Sequence, residues 1–333
     1  MKNSLFSIFK WAIFLLPACG GNDQKPISDL PVEIPEIIIP NDLPAFNGDT
    51  AYSITAKQVA FGPRIPNTKA HELCGDFLIN TLKKYGARVE VQSTTVTTAK
   101  GESLKIRNII GRIRPELNKR IFLASHWDTR PFADQDSENP KATFDGASDG
   151  ASGAGILLEL IRTISQKPPE IGVDIVLFDA EDYGYPEETN SYCLGSQYFA
   201  SHLPNNFYPE YGILLDMTSA PNATFLREGY SMQYASGVVG KVWAIARKLG
   251  YERYFINENS SPVIDDHYYI NSIAGIPMID VIHHDQYSRT GFGSYWHTRE
   301  DNMKMVDKST IQAVGHSLIG VIYSEKPESN KIP

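Results

Sequence analysis

Six short clusters of carboxylate and imidazole residues carry the chemistry: His126-Trp127-Asp128, Asp145 to Gly150, Asp179-Ala180-Glu181-Asp182, Asp216, Asp265-Asp266-His267 and Trp296-His297. Carboxylate oxygens and imidazole nitrogens are the ligands a divalent metal such as zinc takes, and a carboxylate beside a ligand can move protons there. Each cluster alone has a plainer explanation. Asp149 can cap a helix, Asp216 can end a strand, His297 can be a hydrogen-bonded core or surface residue, and Glu181-Asp182 can be a solvated turn. Their joint occurrence in one chain points to a carboxylate and imidazole metal site.

The elements that must hold these residues read as alternating strands and helices. Apolar positions Ala70, Leu73, Phe77, Leu78 and Leu82 share one helical stripe over 67–85, and Gly86 stops it. Val89 to Thr97 and Leu104 to Ile113 are rich in β-branched residues and flank a turn at Lys100-Gly101, which predicts a hairpin. Strands are predicted at Ile121–Ser125, Val173–Phe178, Tyr211–Leu215 and Pro277–Ile282, and helices at Ala151–Ile164, Ser196–His202, Gly237–Leu249 and Ser309–Tyr323. The strands are short and almost wholly apolar, as strands covered on both faces are. The expected fold is therefore an α/β, three-layer α/β/α sandwich with a mixed, largely parallel central sheet. Three of the predicted strands run directly into the acidic or histidine clusters, and the period of two puts His126 and Asp128 on one face.

The chain has 333 residues, 42% of them hydrophobic, which suffices for a full core without staples. Its net charge of −8 repels phosphate backbones, so nucleic acid is not an expected partner. Cys19, Cys74 and Cys193 cannot form a disulfide framework, and Cys74 and Cys193 are expected to be buried free thiols. Residues 1–18 combine a basic start with a short apolar run, and Leu16-Pro17-Ala18-Cys19-Gly20 resembles a bacterial lipobox. An exported, periplasmic or cell-envelope lipoprotein anchored through Cys19 is expected, with membrane contact only through that anchor. Residues 19–47, with Pro26, Pro31, Pro35, Pro40 and Pro44, read as a tether, with an edge strand at Ile37-Ile38-Ile39 as the alternative. The catalytic domain is expected at 48–333.

The order His126-Trp127-Asp128, Asp149-Gly150, Glu181-Asp182, Asp216 and His297-Thr298 resembles the zinc aminopeptidase superfamily from about residue 60 to 325. Leu214-Leu215-Asp216-Met217 followed by Ala220 to Phe225, Ile264-Asp265-Asp266-His267, and Tyr295-Trp296-His297-Thr298 with Asp301-Asn302 are more specific. They resemble the animal-type (type II) glutaminyl cyclases, bacterial branch, which turn an N-terminal glutamine into pyroglutamate and release ammonia. The resemblance implies one Zn2+ per chain on Asp149, Asp182 and His297, with Glu181 as acid–base and Asp216 and Asp265 as a carboxylate network. It also implies Trp296 and Phe292 in the glutamine pocket, Arg130 at the site mouth as a substrate-binding residue, peptides or proteins with N-terminal glutamine as substrates, and a monomer. Asp182 stands where the peptidases and animal enzymes usually have Glu, and Asp280 where the animal cyclases have His. The alternative is a dizinc aminopeptidase, with His126 and Asp216 binding a second metal bridged by Asp149 and Asp128 orienting His126. A lipid-anchored module that has lost catalysis is disfavoured, because Asp149, Glu181, Asp182 and His297 are all present.

Overall fold

The computed structural model describes residues 37–327. The predicted hairpin forms from β1 (Arg88–Thr97) and β2 (Ser103–Ile113), paired from Arg88↔Arg112 to Thr97↔Ser103. β3 (Arg120–His126), β4 (Gly172–Phe178), β5 (Gly212–Asp216) and, beyond the short pair β6 (Phe225–Arg227) and β7 (Phe255–Asn259), β8 (Met278–Ile282) supply the parallel part. Across the sheet the order is β1-β2-β4-β3-β5-β8, with β1 and β2 antiparallel to their neighbours.

Every residue of β3, β4, β5 and β8 is buried, which explains their unbroken apolar sequences. Alternate side chains feed two cores. Leu123, Ile175, Leu177, Ile213 and Ile279 join the larger, with α1 (Gly48–Val59), α2 (Lys69–Lys84), α3 (Ala151–Gln166), α5 (Gly229–Lys248) and α7 (Lys308–Ser324). Phe122, Val176, Phe178, Leu214 and Met278 face the other side, against Phe199 of α4 (Leu194–Ser201) and Ile270, which follows α6 (Asp266–Tyr269). The architecture is the expected sandwich of helices on both faces of a mixed sheet.

Two helices depart from the sequence reading. α1 buries Ala51, Ile54, Thr55 and Gln58, so half of its inward face is polar and its apolar period is weak. α5 starts at Gly229 because the Glu228 side chain accepts from the amides of Tyr230 and Ser231, and a break at Ala235 (φ −144°, ψ 39°) interrupts its first turns. Residues 37–47, inside the stretch expected as a tether, lie along the domain without forming a strand. Ile37, Ile39 and Leu43 pack on the core, Phe46 is buried, and Asn47 caps α1. Packing therefore begins before the boundary expected at residue 48. The segment 1–18 expected to be a signal, Cys19 and the rest of the stretch expected as a tether lie outside the described residues.

α3 meets the sheet so closely at Gly153 that an added Cβ would lie 2.7 Å from the Leu215 carbonyl oxygen and overlap Ser125 Oγ. This approach sets the start of α3, and the loop before it, between the ends of β3 and β5. Gly153→Ala is expected to destabilise the fold by about 1–3 kcal/mol through overpacking, seen as a lower urea midpoint with an unchanged m-value.

Candidate active site

The candidate residues meet where the parallel strands end. His126 is the last residue of β3 and Asp216 the last of β5, while Asp179 to Asp182 leave β4. Asp149 enters from the loop before α3, where Gly150 has φ 95° and a Cβ would strike the Asp128 carbonyl. Non-glycine residues also adopt positive φ around this point: Ala180 (51°), Cys193 (59°), Met217 (51°) and His297 (55°). Strained backbone concentrated at one end of a sheet is the mark of a site whose side chains are aimed against local preference.

Two buried ligand groups share one carboxylate. Asp149, Asp182 and His297 form the first, with ligand atoms all within 4.8 Å of one another. His297 Nε2 is 3.2 Å from Asp182 Oδ1 and 3.8 Å from Asp149 Oδ2. Asp182 Oδ2 is buried with no hydrogen-bond partner, which a cation would satisfy. Two carboxylates and an imidazole fit the three-ligand pattern of catalytic zinc. His126, Asp149 and Asp216 form the second group, with His126 Nε2 3.0 Å from Asp149 Oδ1 and 3.1 Å from Asp216 Oδ1. Burial opposes a charge on His126, but Asp128, Asp149 and Asp216 override it and hold its pKa well above the usual histidine value.

Glu181 stands beside both groups. Its Oε2 lies 3.7 Å from His126 Nδ1 and its Oε1 accepts from the Cys193 thiol at 3.4 Å. Burial raises the Glu181 carboxyl well above its ordinary range; His126 opposes this, while Asp182, Asp265 and Asp266 add to it. An acid–base group in a site of this kind needs such a shift. Asp265 completes a group with Glu181 and Cys193, ligand atoms within 4.8 Å. Burial, opposed by His126 and reinforced by Asp149 and Asp265, pushes the Asp216 carboxyl up to about 7.

The aromatic residues are also brought together. Trp296 stacks on His297 with ring centroids 3.7 Å apart, and Phe292 lies 4.8 Å from Trp296; both are half-buried. Arg130 is placed differently from expectation. Its side chain is completely buried and clasps Asp134 at 2.8 and 3.0 Å while donating to the Asp182 and Gly184 carbonyls. It supports the ligand loop from behind and does not line the mouth, because four of its five buried donors find their partners in the protein.

Asp134 and Arg64 escaped the sequence reading, and Asp128, Asp179 and Asp301 make contacts it did not foresee. Asp134 accepts from His297 Nδ1 at 3.0 Å and so turns Nε2 toward Asp149 and Asp182. Asp128 accepts from the amides of Glu181 (3.1 Å) and Asp182 (3.3 Å), a larger part than its 3.5 Å approach to His126. Asp301 accepts from the Ser148 and Asp149 amides, and Arg64 donates to the Asp145 and Gly146 carbonyls. Asp179 faces away, held by His71 at 2.8 Å and the Arg107 amide at 2.6 Å. Loop residues far apart in sequence carry no periodic signal, so only three-dimensional proximity reveals them. Cys74 and Cys193 are buried free thiols, as expected.

The model of peptidase family M28 matches residues 108–322, which contain both ligand groups. The chain shares 49% identity with a glutaminyl cyclase of Tannerella forsythia, covering 85% of this chain and 100% of that one at a TM-score of 0.83. A Zn-dependent exopeptidase of Parabacteroides distasonis is equally similar, at 49% identity, the same two coverages and a TM-score of 0.84. The glutaminyl-peptide cyclotransferase of Bos taurus is 26% identical over 233 residues, 61% of this chain, and the match spans 62% of the bovine protein's length. With the ligand geometry and the match over both ligand groups, the chain belongs to peptidase family M28.

Proposed function

We propose that the protein is a glutaminyl-peptide cyclotransferase that closes N-terminal glutamine into pyroglutamate, with one zinc held by Asp149, Asp182 and His297. The observation that carries this reading is the Trp296–His297 stack backed by Phe292, a flat aromatic wall against the ligand histidine in reach of a planar side-chain amide. The similarity to the Tannerella forsythia glutaminyl cyclase over that protein's whole length supports it.

Zinc, when bound, supplies a Lewis acid for the amide oxygen. Glu181 takes a proton from the α-amine as its nitrogen bonds to the side-chain amide carbon. The carbon–nitrogen bond to the old amide nitrogen breaks, and Glu181 returns the proton to that nitrogen, which leaves as ammonia. No water is consumed. Asp216 and Asp265 face the charge that develops on the amine, and the aromatic wall holds the chain bent for ring closure.

The His126, Asp149 and Asp216 group favours a second reading, a two-metal aminopeptidase. Against it stand the aromatic wall of Trp296 and Phe292 beside His297 and the buried Asp265 carboxylate grouped with Glu181.

Mass spectrometry of a glutamine-initiated peptide incubated with zinc-loaded protein should show loss of one ammonia and no shortening; release of free glutamine would establish hydrolysis instead. Glu181→Gln should lower kcat by about 10²- to 10⁴-fold, the usual contribution of a general acid–base, while zinc stays bound. Asp134→Asn should weaken zinc retention about 10- to 100-fold in a chelator competition, because His297 loses the partner that orients it.

A further inference from the structure

Behind Asp265 lies a second buried ionisable cluster that the proposed reaction does not use. His267 Nε2 is 3.0 Å from Glu228 Oε2, and both side chains are fully buried. Glu228 is saturated: it also accepts from the amides of Tyr230 (2.8 Å), Ser231 (2.7 Å) and Val263 (2.7 Å) and from Ser231 Oγ (2.8 Å). These bonds pin one carboxylate between the start of α5, the loop before Asp265, and α6. Held as a saturated acceptor, it fixes a proton on His267 Nε2.

The other imidazole nitrogen then points at carboxylates. His267 Nδ1 is 3.8 Å from Asp280 Oδ2, and the ligand atoms of Asp265, His267 and Asp280 lie within 4.8 Å of one another. His267 Nδ1, both Asp280 oxygens and Asp265 Oδ2 are buried and lack a donor. Two buried carboxylates this close to one another, with no donor to either free oxygen, repel when both are ionised. One proton on the pair turns that clash into a bond, and buried acceptors left without any are costly.

We propose that Glu228 and His267 are positioning residues that keep one proton on the Asp265–Asp280 pair, next to the acid–base Glu181. Asp280 is then a neutral partner whose proton holds the Asp265 carboxylate in place, and the lone pair of His267 Nδ1, aimed at Asp280 Oδ2 from 3.8 Å, disfavours a second negative charge there. The effect on turnover rests on the cyclotransferase reading; the proton on the pair does not.

The test has two arms. Infrared difference spectra of the zinc-loaded wild type against Asp280→Asn, at neutral pH, should show loss of one neutral carboxyl band. Loss of an ionised carboxylate band would overturn the shared proton, whatever the substrate. In the second arm, Glu228→Gln and His267→Gln should lower kcat for a glutamine peptide about 10- to 100-fold, the scale of a lost outer partner, with KM within about twofold. Wild-type kcat in both folded variants would overturn the positioning role. A KM rise with unchanged kcat would overturn it equally. If either variant fails to fold, the other and Asp280→Asn, which keeps the side-chain shape, decide the matter. A wild type that forms no pyroglutamate at all refutes the cyclotransferase reading and leaves the infrared arm standing.

Discussion

The structure turns on buried negative charge. Asp128, Asp149, Asp182, Asp265, Asp266, Asp280 and Asp301 are each less than 5% exposed and gather at one end of one sheet, with Asp216 and Glu181 beside them. An isolated carboxylate taken from water costs several kcal/mol even after relaxation. Each of these must therefore be protonated, hydrogen-bonded, paired, or bound to a cation. Asp128 and Asp301 are met by backbone amides, Asp216 by His126, and Asp182 by His297 and Arg130. The unpaired Asp182 Oδ2, beside Asp149 and His297, is where a cation fits.

The same constraint shapes the scaffold. Amides can be turned toward carboxylates only by irregular backbone, so positive φ recurs at Ala180, Met217 and His297, where the chain leaves a strand or delivers a ligand. Rigid neighbours keep that backbone in place: Gly153 lets α3 lie against β5, and the stacked pair His71 and Trp127, 4.3 Å apart, backs the Asp179 turn. Arg64 and Arg130, both buried, tie the Asp145–Gly150 and Asp182 loops to the rest of the domain. A site assembled this way is preorganised, because its charges cannot relax without breaking packed structure.

Much of this was legible in the chain. Unbroken apolar runs gave β3, β4, β5 and β8, the β-branched hairpin gave β1 and β2, and the strand ends gave His126, Asp182 and Asp216, because a parallel sheet delivers its strand ends to one edge; Asp149 and His297 come from loops. α1 was missed, since Thr55 and Gln58 occupy its buried face, and the opening turns of α5 were hidden by Gly229, Gly237 and the break at Ala235. Arg130 was read as a charge at the mouth because sequence shows a charge without its partners, and here the partners are Asp134 and two carbonyls. Asp134 and Glu228 were invisible for the same reason: each acts through a histidine distant in sequence, His297 for one and His267 for the other.

In the proposed function one cation completes this charge cluster while His126 bridges the remaining carboxylates. Diffraction from crystals of the zinc-loaded protein, recorded on both sides of the zinc absorption edge, tests it most directly. One anomalous peak among Asp149, Asp182 and His297, with His126 still bonded to Asp149 and Asp216, is the predicted result. A second peak of comparable height among His126, Asp149 and Asp216 would contradict it and make the two-metal hydrolytic chemistry the better account.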